Sequence, residues 1–397
     1  MKLGIDASNL LYGGGVTHLE ELLGAADPER HGFSDVVVWG RAATLDRLPE
    51  RPWLRLRREP ELERNLVRRL LWRTQRLDKL VREADCDLLL IPGGSYLGAF
   101  RPFVTMCRNL VPFDDEAVRT YGISWMRLKF RILRVVQGAT FRSASGVIFL
   151  TASARDWVTR VTGKLRGRTE VIPHGISSRF SRNPVPQLPM KEYSTTRPLR
   201  LLYVSHLQPY KHYAQLISAV WALREEGYPV ALDLVGRGSL AAEQEMKRMV
   251  AAAGGRTAEI EYHGAVSYSA LPAFYHHADV FVFASSCENL PNALLEAMAA
   301  GLPIACSNRS VMPEILGEAG VYFDPESSES VSNAIKTLLN DPSLRTRLAA
   351  AARQRVNDWS WSRCADKTFA FLKSVGMSER AGVVRPAIAP TSAVERG

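Results

Sequence analysis

The chain contains 397 residues, of which 46% are hydrophobic and 23% are charged, and its formal net charge is +10. This length favours two hydrophobic cores over one, the hydrophobic share excludes a disordered chain, and the positive charge favours anionic partners. No apolar run approaches the roughly 18 residues of a transmembrane helix, and the N-terminus lacks the apolar stretch of a signal peptide. The five cysteines have no metal-site spacing, so we expect a protein of the reducing cytoplasm.

Strands and helices alternate in the first half of the chain. Apolar segments typical of strands begin at Leu3, Val36, Leu88, Phe103 and Gly146. Strands that alternate with helical patterns predict a parallel sheet covered by helices. We therefore predict a first α/β domain over residues 1–176, followed by a linker rich in Ser, Pro and Arg over residues 177–198.

The same pattern restarts after this linker, with strand candidates at Leu201–Val204, Ala231–Val235, Ile260–Tyr262, Val280–Ala284 and Pro303–Cys306. It predicts a second α/β domain over residues 199–358, an amphipathic helix over 359–375 and a disordered tail over 376–397. Two successive doubly wound domains imply a cleft between them, where the carboxyl ends of the strands meet ligands.

Glycine-rich turns follow strands in both halves. Gly13, Gly14 and Gly15 follow Tyr12 and open a helix, so the backbone there can approach a phosphate closely. Gly236 and Gly238 match a dinucleotide fingerprint by letter, although that fingerprint normally follows the first strand of its domain. The alternative for each loop is a plain strand-to-helix turn.

Two glutamates flank a predicted helix start after the strand Val280–Ala284. Asn289 suits a helix cap, Pro291 suits the first turn, and the helix should run to Ala300. Glu288 should then lie at the carboxyl end of the strand, and Glu296 one or two turns into the helix. Two acceptors beside exposed backbone N–H groups predict a site for a ligand with both hydroxyls and an anion.

The run from His277 to Leu316, with Leu-Glu-Ala-Met-Ala followed by Gly301 and Pro303, resembles the donor site of the group 1 retaining glycosyltransferases. Two glutamates separated by seven residues are the signature of that family. The resemblance covers roughly residues 1–375. It implies two facing Rossmann-like domains of the type B glycosyltransferase architecture, with the acceptor on the first, the donor mostly on the second, and the helix over 359–375 crossing back onto the first.

The resemblance also implies roles for individual residues. Lys211 matches a family lysine that clamps the donor diphosphate, while His206 stands where the family has an arginine. Glu288 would hold the transferred sugar and Glu296 the ribose. Arg108 and Asn109 stand where a His-Asp pair often lies. The predicted catalytic residues are Glu288, Lys211, His206 and Arg108, and the predicted donor-binding residues are Gly13, Gly14, Gly15, Asn109, Gly236, Gly238, Gly264, Asn289, Leu290, Pro291, Asn292 and Glu296.

The implied reaction moves a hexose-type sugar from a UDP-, GDP- or ADP-sugar to a glycan, lipid-linked or small-molecule acceptor with retention of configuration. The departing phosphate would take the acceptor proton, and no metal is required. Asp85-Cys86-Asp87 has the letters of a metal-binding motif but precedes the strand that begins at Leu88, so it predicts a surface turn. Cell-surface polysaccharide or glycoconjugate synthesis is the expected setting.

The segment Arg51–Arg82 is strongly basic, and Leu66, Leu70, Leu77 and Leu80 fall near one helical face. Such a helix either lies on an anionic membrane surface or is an ordinary domain helix with a solvated basic face. No recognised nucleic-acid module accompanies the charge, so nucleic acid is not expected as a partner. The oligomeric state stays open.

Two other functions compete with glycosyl transfer. An NAD(P)-dependent oxidoreductase is also doubly wound, but it predicts glycine where His18 stands and an acidic residue where Trp39-Gly40-Arg41 ends the second strand. A catalytically silent partner protein is the second alternative, and the presence of Lys211, Glu288 and Glu296 disfavours it.

Overall fold

The computed structural model describes residues 1–11, 13–252 and 259–383 and contains two parallel sheets with helices on both faces. The first sheet has seven strands in the order β3-β2-β1-β4-β5-β6-β7. These are β1 Lys2–Asp6, β2 Asp35–Gly40, β3 Leu54–Arg58, β4 Leu88–Ile91, β5 Phe103–Met106, β6 Gly146–Phe149 and β7 Arg168–Val171. Its helices are α1 Gly14–Gly24, α2 Ala42–Leu45, α3 Leu66–Gln75, α4 Leu77–Glu83, α5 Asp115–Arg119, α6 Trp125–Ser143 and α7 Ala152–Thr162.

The second sheet has six strands in the order β10-β9-β8-β11-β12-β13. These are β8 Leu199–Val204, β9 Val230–Val235, β10 Ile260–Gly264, β11 Val280–Phe283, β12 Ile304–Ser307 and β13 Val321–Phe323. The helices that follow β8 are α8 Tyr213–Glu225, α9 Leu240–Ala252, α10 Leu271–His277, α11 Asn292–Ala299, α12 Met312–Leu316, α13 Ser328–Asn340, α14 Pro342–Val356 and α15 Trp361–Val383.

The strand order reverses direction once in each sheet. In the first sheet the reversal lies between β1 and β4, and in the second it lies between β8 and β11. At such a point the loops that follow two neighbouring strands run to opposite faces of the sheet. A crevice therefore opens between them at the carboxyl edge of the sheet. The loop before Gly14 and the loops that carry Lys211 and Glu288 all leave strands at these two points. The predicted fold of two facing Rossmann-like domains is confirmed.

The central strands are apolar on both faces because helices cover both sides of each sheet. Leu3 and Ile5 in β1 are fully buried, and so are Val280 and Val282 in β11. The edge strands differ. In β3 four residues after Leu54 are exposed, and β7 alternates between exposed and half-buried positions.

The basic segment between Arg51 and Arg82 does not form one helical face, so that prediction is wrong. It contains the edge strand β3, and α3 ends at Gln75 before α4 begins at Leu77. Leu77 is fully buried, whereas Leu66 and Leu70 are 62% and 42% exposed. The break between the helices turns Leu77 into the core and leaves the leucines of α3 outside.

The C-terminal helix runs further than predicted. It was expected to end at Val375, but α15 continues to Val383, so the prediction of disorder is wrong for residues 376–383. Phe369 and Leu372 bury its apolar face, and Arg380 beyond the predicted end forms an ion pair with Asp87 of the first domain. Gly376 therefore interrupts neither the helix nor its packing. The rest of the predicted tail lies outside the described residues.

None of the helices in the described ranges combines the length and the hydropathy that crossing a lipid bilayer requires.

Candidate active site

The two domains meet through specific hydrogen bonds at the mouth and floor of the cleft. Asn289 Nδ2 donates to the carbonyl oxygen of Cys107 over 2.7 Å. The hydroxyl of Tyr121 donates to Gln208 Oε1 over 2.9 Å. His174 Nε2 lies 3.3 Å from the carbonyl oxygen of Leu290. The strand ends of both sheets are therefore held against one another rather than separated by open solvent.

Lys211 and Glu288 form an ion pair between Nζ and Oε1 at the carboxyl edge of the second sheet. Their side chains are only 10% and 15% exposed. The loops that carry them are tied together, because the backbone N–H of Ser286 donates to the carbonyl oxygen of Tyr210 over 2.9 Å. Lys211 Nζ also lies 5.1 Å from the centre of the Tyr210 ring. Sequence reasoning placed both charges in the site but not in contact with each other.

Ser310 fixes the backbone on either side of the Glu288 side chain. Its hydroxyl accepts from the N–H of Glu288 over 3.2 Å and donates to the carbonyl oxygen of Glu288 over 3.0 Å. Ser310 adopts a left-handed backbone conformation with φ of 54°. No pattern in the sequence marks this residue, because its contact depends on the return of the chain from β12.

Glu296 lies in α11 with 3% of its surface exposed. The hydroxyl of Tyr275 donates to Glu296 Oε2 over 2.8 Å. Burial raises the pKa of the Glu296 carboxyl from 4.5 to about 7, because the charged form loses its hydration. The carboxyl borders a small cavity between the domains, whose other walls include Gly14, Thr17 and Tyr268.

The glycine loop of the first domain faces this cavity. Gly13 precedes α1 with φ of 70°, a conformation that favours glycine. Arg108 Nη2 and Nη1 donate to the carbonyl oxygens of Gly14 and Gly15 over 2.6 and 3.1 Å. A Cβ atom on Gly14 would lie 3.6 Å from Asn292 Nδ2 of the second domain. The unpaired N–H groups at the N-termini of α1 and α11 therefore lie beside the same small cavity.

Two family models match the chain over almost its whole described length. The model described as Glycosyltransferase Family 4 matches residues 12–180, and the model described as Glycosyl transferases group 1 matches residues 188–355. The chain belongs to the group 1 glycosyltransferases.

Curated relatives agree with this family. The O-antigen chain mannosyltransferase B of Escherichia coli is 31% identical over 52% of this chain and 52% of its own length. A GDP-mannose-dependent alpha-(1-6)-phosphatidylinositol monomannoside mannosyltransferase of Mycobacterium tuberculosis is 29% identical over 75% of this chain and 78% of its own. The chain thus spans about half the length of the first of these relatives.

A solved structure shows the same fold. Sucrose-phosphate synthase from Thermosynechococcus elongatus superposes with a TM-score of 0.76 at 18% identity, covering 95% of this chain and 100% of the other. Membership of the group 1 family disfavours the NAD(P) oxidoreductase alternative.

His18 lines the cavity beside Glu296, although sequence reasoning used it only as an argument against NAD. It is 2% exposed, and both ring nitrogens lack a hydrogen-bond partner within the described residues. Its ring lies edge-on to Trp361 of α15 with centroids 5.4 Å apart. Burial lowers the pKa of His18 well below its ordinary value, so the imidazole is neutral. His18, His174 and Trp361 line the cavity that Glu296 borders.

The predicted helix cap at Asn289 is wrong. Pro291 precedes the first residue of α11, and no side chain caps that helix. Asn289 is buried with its amide against Cys107, because the chain crosses to the first domain before the helix starts. Asn289 Oδ1 has no partner within the described residues. Leu290 and Pro291 are also buried, which leaves Asn292 as the partly exposed residue at the helix start.

His206 lies close enough to Lys211 to be influenced by its charge, and Gly236 follows β9, the strand next to β8. Desolvation by the cleft walls, followed by the positive charge of Lys211, lowers the pKa of His206, although its side chain reaches solvent. Gly236 has φ of 143°, and a Cβ atom there would lie 1.8 Å from the carbonyl oxygen of Ser205. The N–H of Gly236 donates to Gly264 over 2.8 Å.

Gly238 and Asn109 make local contacts. The N–H of Gly238 donates to Glu243 Oε1 over 3.0 Å. Asn109 is exposed, and its Oδ1 accepts from the N–H of Val111 over 3.0 Å. Gly238 thus sits at the start of α9, and the Asn109 side chain is turned back on its own loop.

Two further groups of acidic residues have a motif or a geometry typical of metal sites. Asp85 and Asp87 precede β4, and Asp87 accepts from the N–H of Lys2 over 2.7 Å. Asp233, Glu261 and His263 are close enough to share a metal ion, but Arg200 binds both carboxylate oxygens of Asp233 over 2.6 and 3.0 Å. Because Arg200 already occupies both carboxylate oxygens of Asp233, we assign this cluster no cofactor.

Proposed function

We propose that this chain transfers a hexose-type sugar from a nucleoside-diphosphate sugar to a glycan, lipid-linked or small-molecule acceptor, with retention of configuration. The single observation that carries the proposal is that the Lys211–Glu288 pair and the buried Glu296 carboxyl are both carried by segments that follow the carboxyl ends of β8 and β11, neighbouring strands of the second sheet. Gly14, at the start of α1 in the first domain, lines the same small cavity as Glu296.

The Lys211–Glu288 pair suits a donor that carries both a phosphate and sugar hydroxyls. In the free protein each charge neutralises the other in a mostly buried place. A diphosphate draws the ammonium of Lys211 to itself, which frees the carboxylate of Glu288 to accept from sugar hydroxyls. Exchange of one ion pair for two ligand contacts makes phosphate binding and sugar orientation depend on each other.

Bond cleavage leaves negative charge on the departing phosphate and positive charge on the sugar. In this proposal Lys211 and the N–H groups at the start of α1 stabilise the first charge, and Glu288 stabilises the second. One such charge-directed contact is worth about 2.7–4 kcal/mol of barrier. The departing phosphate accepts the acceptor proton, so this mechanism needs neither a separate base nor a metal ion.

Glu296 suits the ribose of the donor. A carboxylate accepts from two neighbouring hydroxyls, and its burial in α11 makes each such bond strong because water does not compete. The two curated relatives are named as mannosyltransferases, so GDP-mannose is the first donor to test, beside UDP- and ADP-sugars.

The test is a thermal-shift panel of UDP, GDP and ADP and of their sugars, since a ligand that binds only the folded protein raises its melting temperature. Glu296→Gln is compared with Glu329→Gln, an exposed glutamate in the first turn of α13. We expect one nucleotide to shift the wild-type protein and the Glu329 control equally, and Glu296→Gln much less. No shift with any sugar nucleotide would favour the silent-partner alternative.

A further inference from the structure

Helix α6 has two apolar faces, of which the first domain covers only one. Phe130 and Phe141 are buried, and Phe141 stacks on Phe113 with ring centroids 5.7 Å apart. The opposite face is also apolar but lies in solvent: Trp125 and Val135 are 70% exposed, Ile132 50% and Leu128 48%. An ordinary surface helix carries charged residues on that side.

The exposed apolar residues form a continuous stripe. They recur every three or four positions, which places them one above another on one side of the helix. Ile123, in the loop just before the helix, is a further exposed apolar residue, at 103%. We call Ile123, Trp125, Leu128, Ile132 and Val135 the α6 stripe.

Positive charge borders the α6 stripe on both sides. Lys129 and Arg131 are exposed and flank it at helical spacing. The helix contains no acidic residue, and its basic residues are Arg127, Lys129, Arg131, Arg134 and Arg142. Of these, Arg134 pairs with Asp115 of α5 over 2.6 Å. An apolar row between basic residues, with a tryptophan at one end, is the pattern of a helix that lies in a lipid interface.

A second helix of the same domain shows the same character. In α3, Leu66 and Val67 are 62% and 63% exposed, and the helix also lacks acidic residues. The loop that follows β4 contacts both helices: Arg73 of α3 donates to the carbonyl oxygen of Ser95, and the N–H of Tyr96 donates to Thr140 Oγ1 of α6 over 3.0 Å. Leu97 in this loop is itself 57% exposed.

The α6 stripe begins at the mouth of the cleft. Tyr121, two residues before Ile123, donates to Gln208 in the loop that leads to Lys211. The Tyr121 and Tyr210 rings are 6.4 Å apart. A surface that covers the stripe therefore lies next to the entrance of the candidate donor site.

We propose that the α6 stripe docks this protein onto an anionic lipid bilayer, so that the cleft mouth faces an acceptor held in that membrane. The part about the acceptor rests on the proposed function, whereas the docking does not. A second copy of the chain is a poorer occupant, because two such faces bring like charges together. An acidic protein partner would satisfy the charge, but it would not account for a tryptophan and four aliphatic side chains in one row.

The experiment is flotation of the full chain with vesicles of phosphatidylcholine, with or without phosphatidylglycerol. Trp125→Ser/Ile132→Ser is compared with Leu240→Ser, a control on the second domain whose side chain is 81% exposed. Because all three side chains are exposed, the variants should keep the wild-type melting temperature. We expect the control to bind phosphatidylglycerol vesicles like the wild type and the double variant to bind at least about tenfold more weakly.

Lys129→Glu/Arg131→Glu tests the contribution of charge. We expect this variant to bind phosphatidylglycerol vesicles about tenfold or more weakly than the wild type, and high salt to weaken binding of the wild type in the same way. The proposal would be overturned if the Trp125→Ser/Ile132→Ser variant, the Lys129→Glu/Arg131→Glu variant and the control all bound vesicles equally well. So would a stripe that mediates only self-association, seen as a dimer of the wild type that binds no vesicle and dissociates in Trp125→Ser/Ile132→Ser.

Nucleotide binding, measured by calorimetry without vesicles, separates the two proposals. We expect it to be unchanged in all stripe variants. Vesicle binding that follows the stripe in a protein with no affinity for sugar nucleotides would support the docking and refute the proposed function.

Discussion

The two domains contribute to the cleft in different ways. The second supplies charged side chains that are already paired or hydrogen-bonded: Lys211 with Glu288, and Glu296 with Tyr275. The first supplies backbone groups at Gly14 and Gly15, held by Arg108, together with exposed apolar helices beside the entrance. In the proposed function the second domain therefore recognises the donor through buried charged side chains, and the first domain through backbone groups at a helix start.

This difference makes a prediction about what each kind of substitution changes. Changes in the second domain should alter both stability and chemistry, because the same buried charges serve both. Changes in the first domain should alter donor positioning or docking with little effect on stability. The variants below test whether effects on stability and on chemistry differ between the two domains in this way.

The largest effect is expected from separating the Lys211–Glu288 pair. Lys211→Ala or Glu288→Ala leaves one charge uncompensated in a place that is mostly buried, which costs about 3–5 kcal/mol of unfolding free energy. We also expect turnover to fall by about 10²–10³-fold. Lys211→Met/Glu288→Leu removes both charges and should regain much of the stability without regaining turnover, as urea unfolding and steady-state assays can show. Wild-type turnover in either single variant would contradict the roles given to the pair.

Glu296→Gln should stabilise the free protein and weaken nucleotide binding. The folded carboxyl has a pKa of about 7 against 4.5 for an ordinary glutamate, so between these pH values the folded protein binds more protons than the unfolded chain. Stability therefore falls as the pH rises from 4.5 to 7, and the penalty is complete above 7. Removal of the charge should raise the unfolding free energy at pH 8 by up to about 3 kcal/mol and leave it nearly unchanged at pH 4.

The same titration gives the pH dependence of nucleotide binding. Ribose hydroxyls favour the carboxylate form of Glu296, so the affinity of the wild type should rise with pH up to about 7 and level above it. Calorimetry between pH 5.5 and 8.5 checks this. The slope of nucleotide affinity against pH should disappear in Glu296→Gln. An identical slope in the variant would assign it to another group.

Arg108→Met is the corresponding test in the first domain. It removes the two hydrogen bonds to the carbonyl oxygens of Gly14 and Gly15. We expect the KM for the donor to rise by about tenfold, with a smaller change in kcat and in melting temperature. Arg119→Met, at an exposed position of α5, is the matched control. A loss confined to kcat would show that Arg108 contacts the reacting groups directly.

The smallest effect is expected from His206→Arg. The pKa of His206 is lowered, so the side chain is neutral near pH 7 and adds no charge beside Lys211. An arginine there should tighten nucleoside-diphosphate binding by about fivefold at low salt and less at high salt. Unchanged affinity at both salt concentrations would indicate that the side chain points away from the diphosphate.

Sequence reasoning located the interior of the fold better than its edges. Three strands went unpredicted, namely β3, β7 and β13, and each lies at the edge of its sheet. Edge strands are short and carry polar residues that discourage pairing with other chains. In β3 the alternation of leucine with arginine resembles a basic helix as closely as a strand. The helix α14 was missed because four arginines and three neutral polar residues leave its pattern weak.

The candidate site divides in a similar way. Glu288 and Glu296 stand in one recognisable run, and Lys211 stands on a loop that follows another strand, so their placement at the carboxyl edge of one sheet could be expected from the sequence. The burial of His18 beside Trp361 and the contact of Asn289 with Cys107 join residues far apart in the chain. No local pattern encodes such contacts, because they depend on how the two domains and α15 pack together.

The most direct test of the whole account is a crystal structure of the protein with a bound nucleoside-diphosphate sugar. We predict diphosphate oxygens against Lys211 Nζ, ribose hydroxyls against the Glu296 carboxylate, and an opened contact between Lys211 and Glu288. A donor bound elsewhere, with the Lys211–Glu288 ion pair intact, would contradict it.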